Sequence, residues 1–192
     1  MERLWTPWRL DYVSGGVREQ RKGVPAELSG WPPGEDRDCV FCNMIASVRW
    51  AVESGMGAEE AERATLILEQ GTFCFICLNR YPYSTGHVLV VPYQHTASLA
   101  DLGELPAAEM MTMAQRMERA IREIYHPDGL NLGMNMGEAA GAGVAKHLHL
   151  HELPRWSGDT NFMTTVAGTR ILPEELEVSW SKLRKVLTNV RI

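Results

Sequence analysis

The sequence predicts an α+β fold, in which short antiparallel strands form a sheet and one long helix packs on it. Three observations lead to this prediction. The chain of 192 residues is long enough for one sizeable core, several short runs rich in β-branched and aromatic residues are separated by turns, and one long segment has helical periodicity. A composition with 45% hydrophobic and 22% charged residues is typical of a folded protein.

The first half of the chain contains three predicted strands. They span Thr65–Leu68, Thr72–Leu78 and His87–Val91. Glycine and proline residues bound these runs and predict turns between them. We expect the three strands to be antiparallel.

Helical periodicity is strongest between Pro106 and Tyr125, where apolar residues recur at steps of three and four and form one stripe. A weaker helix is predicted over Met44–Glu62, with an interruption around Gly55 and Gly57. A last helix is predicted from Glu174 to Leu187, after Pro173.

Two alternating segments follow the long helix and complete the predicted sheet. Leu130–Met136 alternates with a period of two, which places its apolar residues on one sheet face. After the glycine-rich turn Gly137–Val144, the run Lys146–Leu153 alternates again. It places three histidines on one face and leucines on the other.

Charge and hydropathy narrow the range of partners. The formal net charge is -5 and the sequence pI is near 5.7, so a broad basic surface for a nucleic acid polymer is not expected, whereas small anionic ligands are compatible with this charge. No apolar stretch approaches the roughly 18 residues needed to span a bilayer. We therefore expect a cytoplasmic protein without a membrane partner.

The histidine run carries the most specific chemical signal. On a strand, His147, His149 and His151 point to the same side. Imidazole is a competent nucleophile towards phosphorus when its other nitrogen is held as a donor. The spacing alone leaves catalysis and metal binding equally open, but the small residues of Gly137–Val144 favour phosphate, because they let backbone N–H groups converge on an anion.

Two blocks of sequence form a recognisable pattern. One is His147-Leu148-His149-Leu150-His151 followed by Glu152-Leu153-Pro154-Arg155, and the other is the strand, Pro turn and Gly-His strand of Leu78–Pro92. Together they make the chain resemble the histidine triad family. The resemblance covers roughly residues 39 to 156. The segments Leu4–Arg9 and Pro154–Met163 are also similar to the longer bacterial branch of the family, which includes diadenosine tetraphosphate phosphorylases.

The resemblance implies a sheet of about five antiparallel strands, a homodimer with a continuous sheet, and a nucleotidyl-histidine intermediate. By this similarity His149 is the nucleophile at the α-phosphate, and His151 contacts the phosphate and assists the leaving group. Asn79 lies near the ribose and Asn135 near the phosphate, and His87 belongs to the same pocket. The remaining predicted substrate contacts are the turn and the tryptophan after the triad: Gly141, Ala142, Gly143 and Trp156. Many family members have Gln where this chain has Gly143, which puts the preference for a leaving group in doubt.

The four cysteines occur as two C-x-x-C pairs. The pair Cys39 and Cys42 is by itself equally compatible with a metal site and with redox or chance occurrence. Some bacterial members of the family complete a zinc site with residues matched here by His95 and His147, so the resemblance implies a structural zinc. Cys74 and Cys77 lie on a predicted strand and face opposite sides, so we expect them to be buried in the core.

The predicted organisation is an irregular N-terminal arm over residues 1–38, the family's domain over 39–156 and a C-terminal extension with a helix over 157–192. The predicted function is cleavage of dinucleoside polyphosphates at the α-phosphate, with inorganic phosphate as the acceptor and no catalytic metal required. Three alternatives remain: a nucleoside phosphoramidate hydrolase, a sugar-phosphate nucleotidylyltransferase, and a zinc-stabilised nucleotide-binding module without turnover.

Overall fold

A computed structural model describes residues 23–28, 30–32, 34, 37–159 and 174–188. Its centre is one five-stranded antiparallel sheet with the order β1-β2-β3-β5-β4. The strands are β1 (Ile67–Gln70), β2 (Cys74–Leu78), β3 (Val88–Pro92), β4 (Gly129–Gly133) and β5 (Leu150–Arg155). This sheet confirms the predicted fold class. No helix in the described ranges is long and apolar enough to cross a membrane.

In the part of the chain that the structure describes, four α-helices cover the two faces of the sheet. They are α1 (Val40–Glu53), α2 (Ala58–Thr65), α3 (Glu104–Tyr125) and α4 (Leu176–Leu187). Helices α3 and α4 pack on one face, where the methionines and alanines of the predicted stripe are buried. Helices α1 and α2 pack on the other face. The sheet is therefore buried on both sides along β2 and β3.

The helices predicted from periodicity are confirmed, with small shifts at their ends. The interruption predicted around Gly55 and Gly57 separates α1 from α2, and Gly55 has a φ of +98°, a conformation that glycine adopts without the Cβ clash of other residues. The last helix begins at Leu176, two residues after the predicted start. Its Trp180 Nε1 donates to the carbonyl of Ile67 at 2.8 Å, which ties α4 to β1.

Strands β1 and β2 each begin two residues later than predicted, because the first residues of each predicted run make other contacts. Thr65 ends α2, and Leu66 has a left-handed φ of 64°, so β1 begins only at Ile67. Before β2, the Glu109 carboxylate accepts the backbone N–H groups of Thr72, Phe73 and Cys74 at 2.9, 2.5 and 2.7 Å. Sheet pairing of β2 accordingly begins at Cys74.

The histidine run also differs from the prediction at its start. The regular strand begins at Leu150 instead of Lys146, and its pairing with β3 ends at Leu150 opposite Val90. Upstream of that point, the N–H of Leu148 donates to the carbonyl of Thr96 at 2.6 Å, beyond the end of β3. The residue before the central histidine is thus held by a loop instead of by a strand.

The remaining predictions concern the ends of the sheet and the chain. The predicted strand Leu130–Met136 is confirmed as an edge strand but ends at Gly133. Cys74 and Cys77 are buried in the clusters on opposite faces, as predicted. Most of the predicted N-terminal arm and the motif residues after Asp159 lie outside the described residues.

Candidate functional site

Alternation along residues 147–152 separates two kinds of side chain. The three histidines lie on the face covered by α1, where the Phe41 ring is 5.3 Å from the His147 ring and 5.1 Å from the His149 ring. Leu148 and Leu150 lie in the opposite cluster, under α3. The predicted alternation of faces is therefore present, although the regular strand is shorter.

His149 lies at the centre of the group of rings and is only 4% exposed. Its Nδ1–H donates to the carbonyl of His147 at 2.8 Å. Burial lowers the pKa of His149, and this hydrogen bond opposes the shift. A neutral imidazole with its proton held on Nδ1 keeps the lone pair on Nε2. That nitrogen has the electronic state that a nucleophile requires.

His151 is the next ring along the strand, with its centroid 4.8 Å from that of His149. Its Nδ1 lies 3.0 Å from His87 Nε2. His87 Nδ1 accepts the Tyr83 N–H at 3.1 Å and faces the Asn79 side-chain amide nitrogen at 3.3 Å, so the His87 proton is on Nε2. His87 therefore donates to His151, and a neutral His151 carries its own proton on Nε2.

At the other end of the run, His147 joins a cluster with Cys39, Cys42 and His95. One donor atom from each of these four residues lies within 4.8 Å of the others. His147 Nδ1 is 3.2 Å from the Cys39 sulfur and 3.7 Å from the Cys42 sulfur, and His95 Nδ1 is 3.3 Å from the Cys42 sulfur. The structure thus brings together the four residues that the sequence predicts as metal ligands.

The chemistry of this cluster fits a tetrahedral metal ion. Metal–sulfur and metal–nitrogen bonds of ~2.3 and ~2.0 Å imply sulfur–nitrogen separations of roughly 3.5 Å at the tetrahedral angle, close to the distances seen here. His147 Nε2 donates to the carbonyl of Pro92 at 2.9 Å, which leaves Nδ1 unprotonated for a metal. Burial lowers the pKa of His147 to about 4. Burial and the neighbouring Cys39 raise the pKa of Cys42 to about 11, a shift that a bound cation reverses.

The other predicted substrate contacts are more dispersed. Asn79 is half-buried beside His87, and its Oδ1 accepts the Tyr81 N–H at 3.0 Å. Asn135 is half-buried in the loop after β4. In the glycine-rich turn, the N–H groups of Gly141 and Ala142 donate to carbonyls of the same turn, at 2.9 and 3.3 Å, while Gly143 is exposed. An anion at this turn has to compete with those two internal hydrogen bonds.

Trp156 lies on the face away from the histidines. Its Nε1 donates to the carbonyl of Tyr125 at 3.3 Å, and the two rings meet edge to face at the end of α3. This position favours capping of the strand by Trp156 over the substrate contact predicted from the sequence.

Two residues of the site were not predicted from the sequence. Phe41 contacts two of the three triad rings, and Tyr83 stacks on His87 with centroids 4.9 Å apart. The position of Phe41 between two predicted metal ligands was the available signal, because a shared metal brings the residue between Cys39 and Cys42 close to His147. For Tyr83 the sequence offers no comparable signal beyond its place in the turn before His87.

Comparison with known proteins matches the HIT domain over residues 60–158. The chain is 33% identical over 176 residues to an AP-4-A phosphorylase of Mycobacterium tuberculosis, covering 92% of this chain and 79% of that protein. It is 31% identical over 122 residues to adenylylsulfatase HINT3 of Arabidopsis thaliana, covering 64% of this chain and 54% of that protein.

Among solved structures, the chain is similar to a zinc-bound histidine triad family protein from Mycobacterium smegmatis. The TM-score is 0.59 with 31% sequence identity, over 79% of this chain and 94% of that chain. A histidine triad nucleotide-binding protein from Sulfolobus tokodaii superposes with a TM-score of 0.58 and 27% identity, over 79% and 93% of the two chains.

Proposed function

The chain belongs to the histidine triad (HIT) family, and from that premise we propose that it is a dinucleoside polyphosphate phosphorylase acting at the α-phosphate. The observation that carries this proposal is the His149 ring, whose Nδ1–H is held by the His147 carbonyl at 2.8 Å. Support for the substrate class comes from the similarity to an AP-4-A phosphorylase over most of both chains.

In the proposed first step, His149 Nε2 attacks the α-phosphorus of the dinucleoside polyphosphate. A phosphorus–nitrogen bond forms while the bond from phosphorus to the bridging oxygen breaks. Because His87 donates to His151 Nδ1, the Nε2–H of His151 is the proton available to the departing oxygen. The products of this step are a nucleoside polyphosphate and a nucleotidyl group on His149.

In the proposed second step, inorganic phosphate attacks the same phosphorus and the bond to His149 breaks. The nucleotide leaves as a nucleoside diphosphate that contains the added phosphate. With diadenosine tetraphosphate the two products are ATP and ADP, and water in place of phosphate gives AMP instead of ADP. The His151 ring is adjacent to His149, so it is positioned to take up the proton of the incoming acceptor.

We also propose that Cys39, Cys42, His95 and His147 hold a structural zinc ion. Four protein ligands fill a tetrahedral site and leave no position for water, so the ion would join the start of α1 to the loops after β3 and before β5. Its ligand distances support this assignment, as does the similarity to a zinc-bound family member.

Product analysis tests the proposed reaction. A panel of dinucleoside polyphosphates is incubated with the protein, with and without phosphate, and the products are separated by chromatography. Phosphorolysis predicts a nucleoside diphosphate labelled from ³²P-phosphate, whereas hydrolysis predicts an unlabelled monophosphate. Acid-labile label trapped on His149 from an α-³²P substrate tests the intermediate. Absence of both turnover and trapped label would favour a binding module.

A second candidate is transfer from a different leaving group, such as a phosphoramidate or a sugar phosphate. It is favoured by Gly143, which stands where many family members have Gln, and by the exposure of the turn around it. The same first step applies to these substrates. A ranking of kcat/KM across a phosphoramidate, a nucleotide sugar and diadenosine tetraphosphate separates the candidates.

We further propose a cytoplasmic homodimer that forms through β4. This strand is an edge of the sheet in the described part of the chain, and Leu132 and Met136 near it are 51% and 50% exposed. Pairing of two such edges continues the sheet and covers these side chains. Sedimentation equilibrium tests the dimer, and Leu132→Lys is expected to shift it towards monomer.

A further inference from the structure

We propose that the metal cluster positions the nucleophile, so that His147 and Phe41 are positioning residues for His149. This inference rests on the proposed function and on the proposed zinc. It concerns the coupling of two sites that the fold places next to each other. Two separate contacts link them.

The first link is His147, which is held at three points. Its Nδ1 faces the Cys39 sulfur at 3.2 Å, its Nε2 donates to the Pro92 carbonyl at 2.9 Å, and its own carbonyl accepts the His149 Nδ1–H at 2.8 Å. A metal bond at Nδ1 fixes the ring, and the ring fixes the orientation of the peptide that follows it. The acceptor that sets the His149 tautomer is thus part of a metal ligand.

The second link is Phe41, which lies in the first turn of α1 between the two cysteine ligands. Its ring is 5% exposed and lies 5.1 Å from the His149 ring and 5.3 Å from the His147 ring. A metal bound to both flanking sulfurs fixes the position of this turn. The Phe41 ring then limits how far the His149 ring can rotate.

Apart from the metal cluster, the start of α1 is held by apolar packing, which includes the Phe75 ring 6.5 Å from that of Phe41. Cys39 is the N-cap residue, and its side chain makes no capping hydrogen bond. Asn43 bonds to the backbone N–H and carbonyl of Arg37, both at 2.8 Å, which supports the first turn from within the same segment of chain. Loss of the metal is therefore expected to loosen the contact between Phe41 and His149 while α1 remains helical.

A His149 ring that is held less firmly is expected to affect kcat more than KM. Attack requires Nε2 to approach the phosphorus in line, so a ring that samples other orientations lowers kcat. Substrate affinity depends on other groups, and KM is expected to change little. Loss of a group that orients a metal ligand typically costs about 10–100-fold in activity. For the orientation of His149 we expect a loss of about tenfold, at the lower end of this range.

His95→Ala is the sharpest test, because His95 is an exposed ligand on the loop after β3 and its side chain contacts the triad at His147, inside the cluster. Zinc per chain, kcat and KM are measured with diadenosine tetraphosphate and phosphate. The state of His149 is read by long-range ¹H–¹⁵N NMR of its ring nitrogens. The matched control is Cys74→Ser, which removes a thiol on the opposite sheet face and retains a hydroxyl for the Pro106 carbonyl.

The expected result is that His95→Ala loses zinc, loses about tenfold in kcat with KM within about threefold, and shows a His149 ring signal averaged between tautomers. Cys74→Ser is expected to keep its zinc and the wild-type His149 signal. Phe41→Leu keeps all four ligands and is expected to bind zinc while broadening the His149 signal. Zinc returned to chelated wild-type protein should restore the signal, and a cavity of about 150 Å³ beside Cys42 and His147 provides solvent access for the chelator.

The inference is overturned if zinc-free His95→Ala retains both the wild-type kcat and the His149 signal, or if the wild-type protein binds no zinc. Unfolding of the chelated wild-type protein, seen by circular dichroism, also overturns it, because the metal then holds the whole fold instead of one ring. If the wild-type protein turns over no nucleotide, the proposed function fails. The NMR comparison between zinc-bound and zinc-free protein still decides the coupling in that case.

Discussion

The two faces of the segment 147–152 differ in how their buried polar groups are satisfied. On the histidine face, His147 and His149 are nearly fully buried, and hydrogen bonds hold a ring nitrogen of each. On the opposite face, which we call the α3 face, Leu148 and Leu150 pack under α3. There Glu152 is 2% exposed and its Oε2 has no hydrogen-bond partner. The difference indicates that one face is organised for polar chemistry, while the other is a core that contains one unsatisfied acid.

The largest effect is expected from the centre of the histidine face. His149→Ala removes the proposed nucleophile, and we expect a loss of at least about 10³-fold in kcat, since removal of a catalytic nucleophile has cost as much as ~10⁶-fold elsewhere. Nucleotide affinity, measured by calorimetry, is expected to change much less. A variant that retains a tenth of the wild-type turnover would show that the histidine face is not organised around this ring.

The next effect concerns the hydrogen bond between His87 and His151. His87→Leu leaves His151 Nδ1 without its donor, so the proton that His151 offers to the leaving group is no longer fixed on Nε2. We expect kcat to fall by roughly 10²-fold, the lower range for loss of acid–base catalysis, with a small change in KM.

His87→Gln is the conservative control for that variant, because its side-chain amide can still donate to His151. Partial recovery of kcat in this variant is expected if donation is the role of His87. Equal losses of kcat in both variants, with an unchanged melting temperature, would indicate that His87 acts only through the packing of its ring.

On the α3 face, Glu152 is expected to lower the stability of the protein as the pH rises. Burial raises its pKa to about 8, with a further increase from Glu118 and an opposing effect of Arg122. The folded protein therefore retains a proton that the unfolded chain releases above its pKa of 4.5. The stabilising proton is fully present below pH 4.5 and is lost as the pH rises to about 8, so the contribution of Glu152 to the free energy of unfolding falls across this window.

Urea unfolding of wild type and Glu152→Leu between pH 5 and 9 measures this effect. The variant is expected to gain about 1–3 kcal/mol at neutral pH, because an unsatisfied buried acid is replaced by an apolar side chain. The free energy of unfolding of this variant is also expected to fall less than that of the wild type as the pH rises. Glu152→Gln should flatten the pH dependence without the same gain. A wild-type slope equal to that of both variants would mean that Glu152 finds a partner.

The smallest effect is expected at Trp156, which the structure places on the α3 face. Trp156→Phe removes the hydrogen bond to the Tyr125 carbonyl and is expected to lower the free energy of unfolding by about 1 kcal/mol. KM for the nucleotide should stay within about twofold, a change below 0.5 kcal/mol. A tenfold increase in KM would indicate that Trp156 contacts the nucleotide, as predicted from the sequence.

Periodicity and spacing in the sequence determined which elements form and which residues share a face. The apolar stripe of α3, the alternation of the histidine run and the opposite directions of Cys74 and Cys77 all follow from the repeat of a helix or a strand. These features are local, because they depend on residues a few positions apart. The spacing of Cys39 and Cys42 by itself left a metal site open, whereas the completing ligands His95 and His147 were reached only through the similarity to a known family.

Tertiary structure alone decided where the elements end and which groups meet. Pairing of Leu148 with the Thr96 carbonyl, contact of Phe41 with His149 and the hydrogen bond between His87 and His151 join residues far apart in the chain. The burial of Glu152 is equally invisible in the sequence, where its neighbours suggest only alternation. Such contacts depend on how the whole sheet packs against its helices, and local periodicity carries no information about that packing.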